Sequence, residues 1–191
     1  MQELSLHILD LVRNSIAAQA TTILISICQK GLFLVISISD NGKGMDADTV
    51  KSVESPFATS RKTRRVGLGI PLFKAAAEQC EGAFEIYSVI DSGTTINGGF
   101  KIDSIDRQPL GNLTDTMTSL IISDPDTDYI LKLESDKGIY QFDTKEVKNI
   151  LDGVSITGSE VMDWITENVN EGIHTVFGGV LNEVNTGIGT D

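Results

Sequence analysis

Leu4, Leu6, Ile8, Leu11, Val12 and Ile16 recur at close to helical spacing, so the pattern predicts an amphipathic helix over residues 3–18. Two β-rich runs come next, 22–29 and 32–39, joined by Lys30-Gly31, and they read as an antiparallel hairpin. Asp-Asn-Gly-Lys-Gly, from Asp40 to Gly44, ends the second run in a turn. A short helix is expected over 47–53, with Asp46 as its N-cap. The Gly67-Leu68-Gly69 turn precedes a stronger helix over 70–80, which has Pro71 in its first turn and closes near Gly82. Residues 83–89 and 94–102 read as two further strands.

Residues 103–110, with Pro109 near the end and Gly111 directly after, look like a boundary. Beyond it the pattern predicts a helix over 112–122 and a hairpin, 128–134 with 138–142, turning at Ser135-Asp136-Lys137. Two capped helices are expected over 143–151 and 159–172. Trp164, with Val161 and Ile165, reads as packing on the last of them. This order implies an α+β chain built as a two-layer α/β sandwich. Its mixed, mainly antiparallel sheet would be covered on one face by helices. The division expected is a domain over 1–102, a small α+β extension over 103–173 that leans on it, and a poorly ordered, glycine- and asparagine-rich tail over 174–191.

Composition narrows the function. The formal charge of −12 argues against nucleic acid as a partner, because such binding depends on neutralising phosphates. No apolar run reaches the ~20 residues of a bilayer span. The polar start, Met1-Gln-Glu-Leu-Ser, does not read as a secretory signal, so a cytoplasmic, non-membrane protein is expected. Cys28 and Cys80 have no metal-ligand spacing and read as buried free thiols. One basic cluster, Arg61-Lys62-Thr63-Arg64-Arg65, breaks the acidic trend.

Three segments carry candidate chemistry. Asp10 and Asn14, four apart, project from one helical face and offer a carboxylate and an amide oxygen to a common centre such as hydrated magnesium; a solvated helix face would look the same. Asp40 is suited to accept from an exocyclic amine, and Gly42 and Gly44 would allow close backbone approach, although Asp-Asn-Gly also suits an ordinary hairpin exit. Gly67 and Gly69 leave N–H groups free at a helix start, and the arginines just before them favour an anion there.

The order of these segments, with Pro56-Phe57-Ala-Thr59 between the second and third, resembles the ATP-binding domain shared by histidine kinases, gyrase-type topoisomerases, heat-shock chaperones and mismatch-repair ATPases. Asp-Leu-Val-Arg-Asn-Ser-Ile-Ala-Ala-Gln-Ala-Thr is similar to the first box of that family. The resemblance implies ATP and Mg2+ as cofactors, with Asn14 on the metal. Asp40 would take the adenine amine, in a pocket shaped by Gly42, Gly44 and Met45. Phe57 matches the aromatic box. Gly67, Leu68 and Gly69 match the hinge of a lid whose Lys62 and Arg65 would face the phosphates. Thr94, in Ser92-Gly93-Thr94-Thr95, would help hold the base through its hydroxyl or a water.

The departures concern catalysis. Hydrolysing relatives place a glutamate four residues before the asparagine as general base; Asp10 stands there, one methylene shorter, which implies slow hydrolysis or a water-mediated role at magnesium. His7-Ile-Leu-Asp lacks the pattern of a phosphoacceptor histidine, so self-phosphorylation on histidine is not expected. The expected function is an Mg-ATP-binding regulatory protein, a stand-alone kinase or slow ATPase that acts on a separate protein partner in signalling. The alternatives are a non-catalytic nucleotide-sensing or assembly module and a purely structural subunit. The chain also resembles, through Ile105-Asp-Arg-Gln-Pro-Leu-Gly and the segment after it, small ATP-binding proteins that accompany hydrogenase-type redox subunits.

Overall fold

The computed structural model describes residues 3–54, 68–178 and 181. In chain order the elements are α1 (Leu4–Ala17), β1 (Thr22–Lys30), β2 (Phe33–Asp40), α2 (Ala47–Val53), α3 (Gly69–Gln79), β3 (Phe84–Val89) and β4 (Gly93–Lys101). They continue with α4 (Leu113–Ser123), β5 (Asp128–Ser135), β6 (Gly138–Asp143), α5 (Thr144–Leu151) and α6 (Ser159–Phe177).

The strands form one open sheet in the order β3-β4-β2-β1-β5-β6, antiparallel except where β1 meets β5. Alternation decides which face is covered. Ile23, Ile25 and Ile27 of β1, Leu34, Ile36 and Ile38 of β2, and Tyr129, Leu131 and Leu133 of β5 point one way and are buried. Against them pack Leu4, Ile8, Leu11 and Val12 of α1, Phe73 of α3 and Ile165 and Val169 of α6. Across the other face, Asn97, Ser37, Ser26 and Lys132 form one polar row. Cys28 belongs to that open face and is only half-buried, because Ile27 holds the core position beside it; Cys80 is buried as expected.

Two features depart from the sequence reading. The segment expected as an extension continues the sheet itself: β5 lies parallel to β1, pairing Ile25 with Leu131 and Ile27 with Leu133. The tail expected from residue 174 is helical through Phe177, and Val176, Phe177 and Leu181 are buried. Gly172 looked like a helix end, but it lies inside α6 because the Tyr140 ring packs where a side chain would be: a β-carbon there would come 2.5 Å from the ring. Trp164 is half-exposed, since the adjacent Ile165 takes the buried position.

A strap of residues 102–111 crosses the start of α1. Its Pro109 and Leu110 carbonyls accept from the Leu4 and Ser5 N–H groups, which have no partner within the helix. Buried Arg107 donates to the carbonyls of Ile102 and Leu181, which ties residue 181 to the strap.

Candidate functional site

Asp10, Asn14 and Ser15 lie on α1. Asp10 and Asn14 share the half-buried face, while Ser15 turns toward the sheet and is buried. Neither the Asp10 carboxylate nor the Asn14 side-chain amide makes a hydrogen bond or ion pair among the described residues. The start of α3 abuts this face: a β-carbon at Gly69 would stand 3.2 Å from Cβ of Asp10 and 3.6 Å from Nδ2 of Asn14. Among the described residues no side chain caps the first turn of α3, and its positive end lies beside the carboxylate and the amide. Leu68, the N-cap residue, is exposed.

Asp40 ends β2 and is the meeting point of three elements. Its Oδ2 accepts from the Ser15 hydroxyl at 2.6 Å, and its Oδ1 accepts from Gly42 N–H at 2.9 Å and Thr94 N–H at 3.3 Å. Three donors fix the plane of the carboxylate. An ionised carboxylate offers about four acceptor positions, so roughly one is left for a ligand.

The loop after Asp40 is pinned on both sides. Lys43 N–H donates to the Ala18 carbonyl at the end of α1, and the Lys43 carbonyl accepts from Asp91 in the β3–β4 turn. Gly42 and Gly44 are required by these approaches. A β-carbon at Gly42 would lie 2.8 Å from the Ala18 carbonyl oxygen, and one at Gly44, whose φ is +62°, would run into the Val89 carbonyl. The glycines therefore let the loop reach protein backbone, in addition to any ligand role. Met45 packs partly on the core, and its N–H donates to the Ser88 hydroxyl at 2.8 Å. Thr94 lies beside Asp40, with its own hydroxyl 2.8 Å from that of Ser88.

Of the residues singled out in the sequence, Asp10, Asn14 and Gly69 form one cluster, and Asp40, Gly42, Gly44, Met45 and Thr94 form a second. Ser15 joins the two, being next to Asn14 and bonded to Asp40. Phe57, Lys62, Arg65 and Gly67 lie outside the described residues. Sequence reasoning gave no role to Ser15 or Ser88. Ser15 had a signal, since it comes directly after Asn14 on the helix turned toward β2; Ser88, on a strand with no motif, had none. His7 sits below Asp10 and is buried, with Nε2 3.1 Å from Gln108 Oε1 and its ring tilted on Phe73. Burial lowers its pKa, against the raising effects of the Gln108 bond and of Asp10.

Comparison with known proteins places this geometry. Residues 2–104 match the family described as histidine kinase-, DNA gyrase B-, and HSP90-like ATPase. A candidate sensor protein of Shewanella frigidimarina is 31% identical over 99 residues, which cover 50% of this chain and 15% of that protein. The sensor histidine kinase ZraS of Escherichia coli K12 is 28% identical over 106 residues, 54% of this chain and 23% of that one. The chain thus spans less than a quarter of the length of either relative. A crystal structure of the N-terminal domain of a DNA repair protein shares the fold at a TM-score of 0.51 and 18% identity, over 85% of this chain and 59% of that one. No helix among the described residues is long and apolar enough to cross a membrane. The chain belongs to the family of histidine kinase-, DNA gyrase B- and HSP90-like ATPases, whose nucleotide-binding domain residues 2–104 match.

Proposed function

We propose that this protein binds Mg-ATP and uses it as a kinase or slow ATPase acting on a separate protein partner. The observation that carries the reading is the Asp40 carboxylate, fixed by Ser15, Gly42 and Thr94 with one acceptor position to spare. That arrangement suits an exocyclic amine such as that of adenine. Asp10 and Asn14 fit hydrated magnesium, which needs only one or two protein oxygens; both are free of partners among the described residues. Bound magnesium would neutralise phosphate charge there. The uncapped start of α3 supplies N–H donors for phosphate oxygens beside the same two residues.

Asp10 is the group assigned to take the proton from an attacking water or hydroxyl, directly or through one water. Its short side chain supports slow turnover. A second reading has its own support. The strands after residue 102 complete the same sheet, and the strap caps the helix that bears Asp10, so nucleotide binding would be felt across the whole molecule. In that reading the protein senses nucleotide without consuming it.

Purified protein incubated with magnesium and γ-labelled ATP, with and without cell extract, separates the two. A labelled partner protein identifies a kinase and released phosphate a hydrolase. Tight binding with neither product would replace the catalytic reading with the sensor.

A further inference from the structure

The two clusters of the candidate site are joined at α1 by the Ser15–Asp40 bond, and the elements that leave them meet a second time. From the cluster at Asp10, Asn14 and Gly69 the chain runs on as α3. From the cluster at Asp40 it runs through Met45 and the Asp46 cap into α2. Where α2 ends, Oε2 of its C-cap residue Glu54 accepts from Nζ of Lys74 on α3 at 2.8 Å. Both side chains are less than a third exposed. The ammonium also lies 5.6 Å from the centre of the Phe84 ring on β3, and Phe84 packs edge-on against Phe73, the residue before Lys74. A carboxylate and an aromatic face thus fix Lys74 together, which lowers the entropy lost in making the pair. The Glu54 bond raises the Lys74 pKa against partial desolvation, so the charge persists at neutral pH. Neither residue belongs to a segment singled out in the sequence.

We propose that Glu54 and Lys74 are positioning residues for the nucleotide: their ion pair holds α2 to α3 and fixes the spacing between the cluster for the base and the cluster for magnesium and phosphate. The inference rests on the nucleotide reading above. A ligand that spans both clusters needs them at one separation, and it leaves when either gives way. The spacing is held at α1 through Ser15 and between α2 and α3 through Lys74. Breaking the pair removes the second tie while every group that touches the ligand stays in place.

The test is release of N-methylanthraniloyl-ADP from the full chain with magnesium, followed by stopped-flow fluorescence, with thermal unfolding of each variant alongside. Glu54→Lys and Lys74→Glu each set like charges together and should release the nucleotide about fivefold faster than the wild type, the upper end for a partly exposed pair. The double reversal rebuilds the pair in the opposite sense and should return the rate to within about twofold of the wild type. If either reversal does not fold, Glu54→Gln and Lys74→Gln decide. Each should speed release about threefold, and the two together no more than one alone, because the second removes a bond already lost. Release at the wild-type rate in the single variants, with only Tm lowered, would reduce the pair to scaffold and overturn the proposal. Release from the double reversal as fast as from the single variants would overturn it as well, and so would additive effects of the two glutamine substitutions. No binding of the fluorescent nucleotide by the wild type would overturn the nucleotide reading itself, a result distinct from these.

Discussion

The two ends of the sheet obey the same alternation but place different chemistry on the helix-covered face. On the side of β2, β4 and β3, the covered positions at the strand ends are Asp40, Thr94 and Ser88, three polar groups joined to one another and to α1. On the side of β5 and β6 those positions are Tyr129, Leu131, Leu133 and Phe142, buried and apolar. Charge is divided as unevenly. Residues 1–102 carry ten acidic and ten basic side chains, and residues 103–191 carry seventeen and five. One side of the molecule holds the candidate site, and the other is a scaffold whose residues are mostly acidic where charged. The polar groups are confined to the strand ends, since Leu34, Ile36 and Ile38 of β2 and Phe100 of β4 carry a buried apolar layer on the same face.

Substitutions test that division, and the scaffold should give the largest effect on folding. Leu131→Ala removes a buried side chain paired across from Ile25. It should cost about 2–5 kcal/mol in denaturant unfolding with little change in nucleotide affinity once folded. A comparable loss of affinity in the folded fraction would erase the distinction. Asp10→Ala should lower turnover by about 100-fold while affinity changes little, if Asp10 is the base; equal loss of both in steady-state and binding assays would make it a metal-positioning group. Gly172→Ala drives a methyl against the Tyr140 ring and should destabilise by about 1–3 kcal/mol, read as a lowered Tm.

Smaller effects come from the joint between the regions. Ser15→Ala frees one oxygen of Asp40 and should weaken nucleotide binding about fivefold in calorimetry, with Tm little changed. His7 gives a pH dependence. Its folded pKa lies below the ordinary value, first because of burial. Above an unfolded pKa of about 6.5 both states are neutral there, and His7 contributes no slope. As pH falls below that value the unfolded chain takes up a proton that the folded chain refuses, so stability drops until the folded pKa is passed. His7→Gln should flatten stability between pH 7 and 5 in urea titrations, and an unchanged slope would assign it to other groups.

Much of this was legible in the sequence, for local reasons. Alternation located β1 and β2 and their antiparallel hairpin, but the turn falls one residue later than expected, at Gly31-Leu32, with Lys30 paired to Phe33. The Asp46 cap was visible because its side chain bonds only three residues on, to Thr49. Asp10 and Asn14 were paired by helical spacing alone. What escaped was not local. No period in 128–134 says that this strand runs parallel to β1, more than a hundred residues away. Gly172 reads as a stop until Tyr140 is known to fill its place. Ser88 bonds to Met45 and Thr94, which arrive from other elements, and such contacts between distant segments are not readable from its own neighbours in the chain.

The central claim is that Asp40 is the acceptor for the base of a bound nucleotide, and titration calorimetry of ATP into the wild type and Asp40→Asn tests it most directly. Asparagine keeps the size of the side chain while replacing a carboxylate oxygen by an NH2 donor. The account predicts measurable binding by the wild type, and for the folded variant a loss of about 100-fold or more, since a charged acceptor is replaced by a donor facing a donor. An affinity equal to that of the wild type would contradict it.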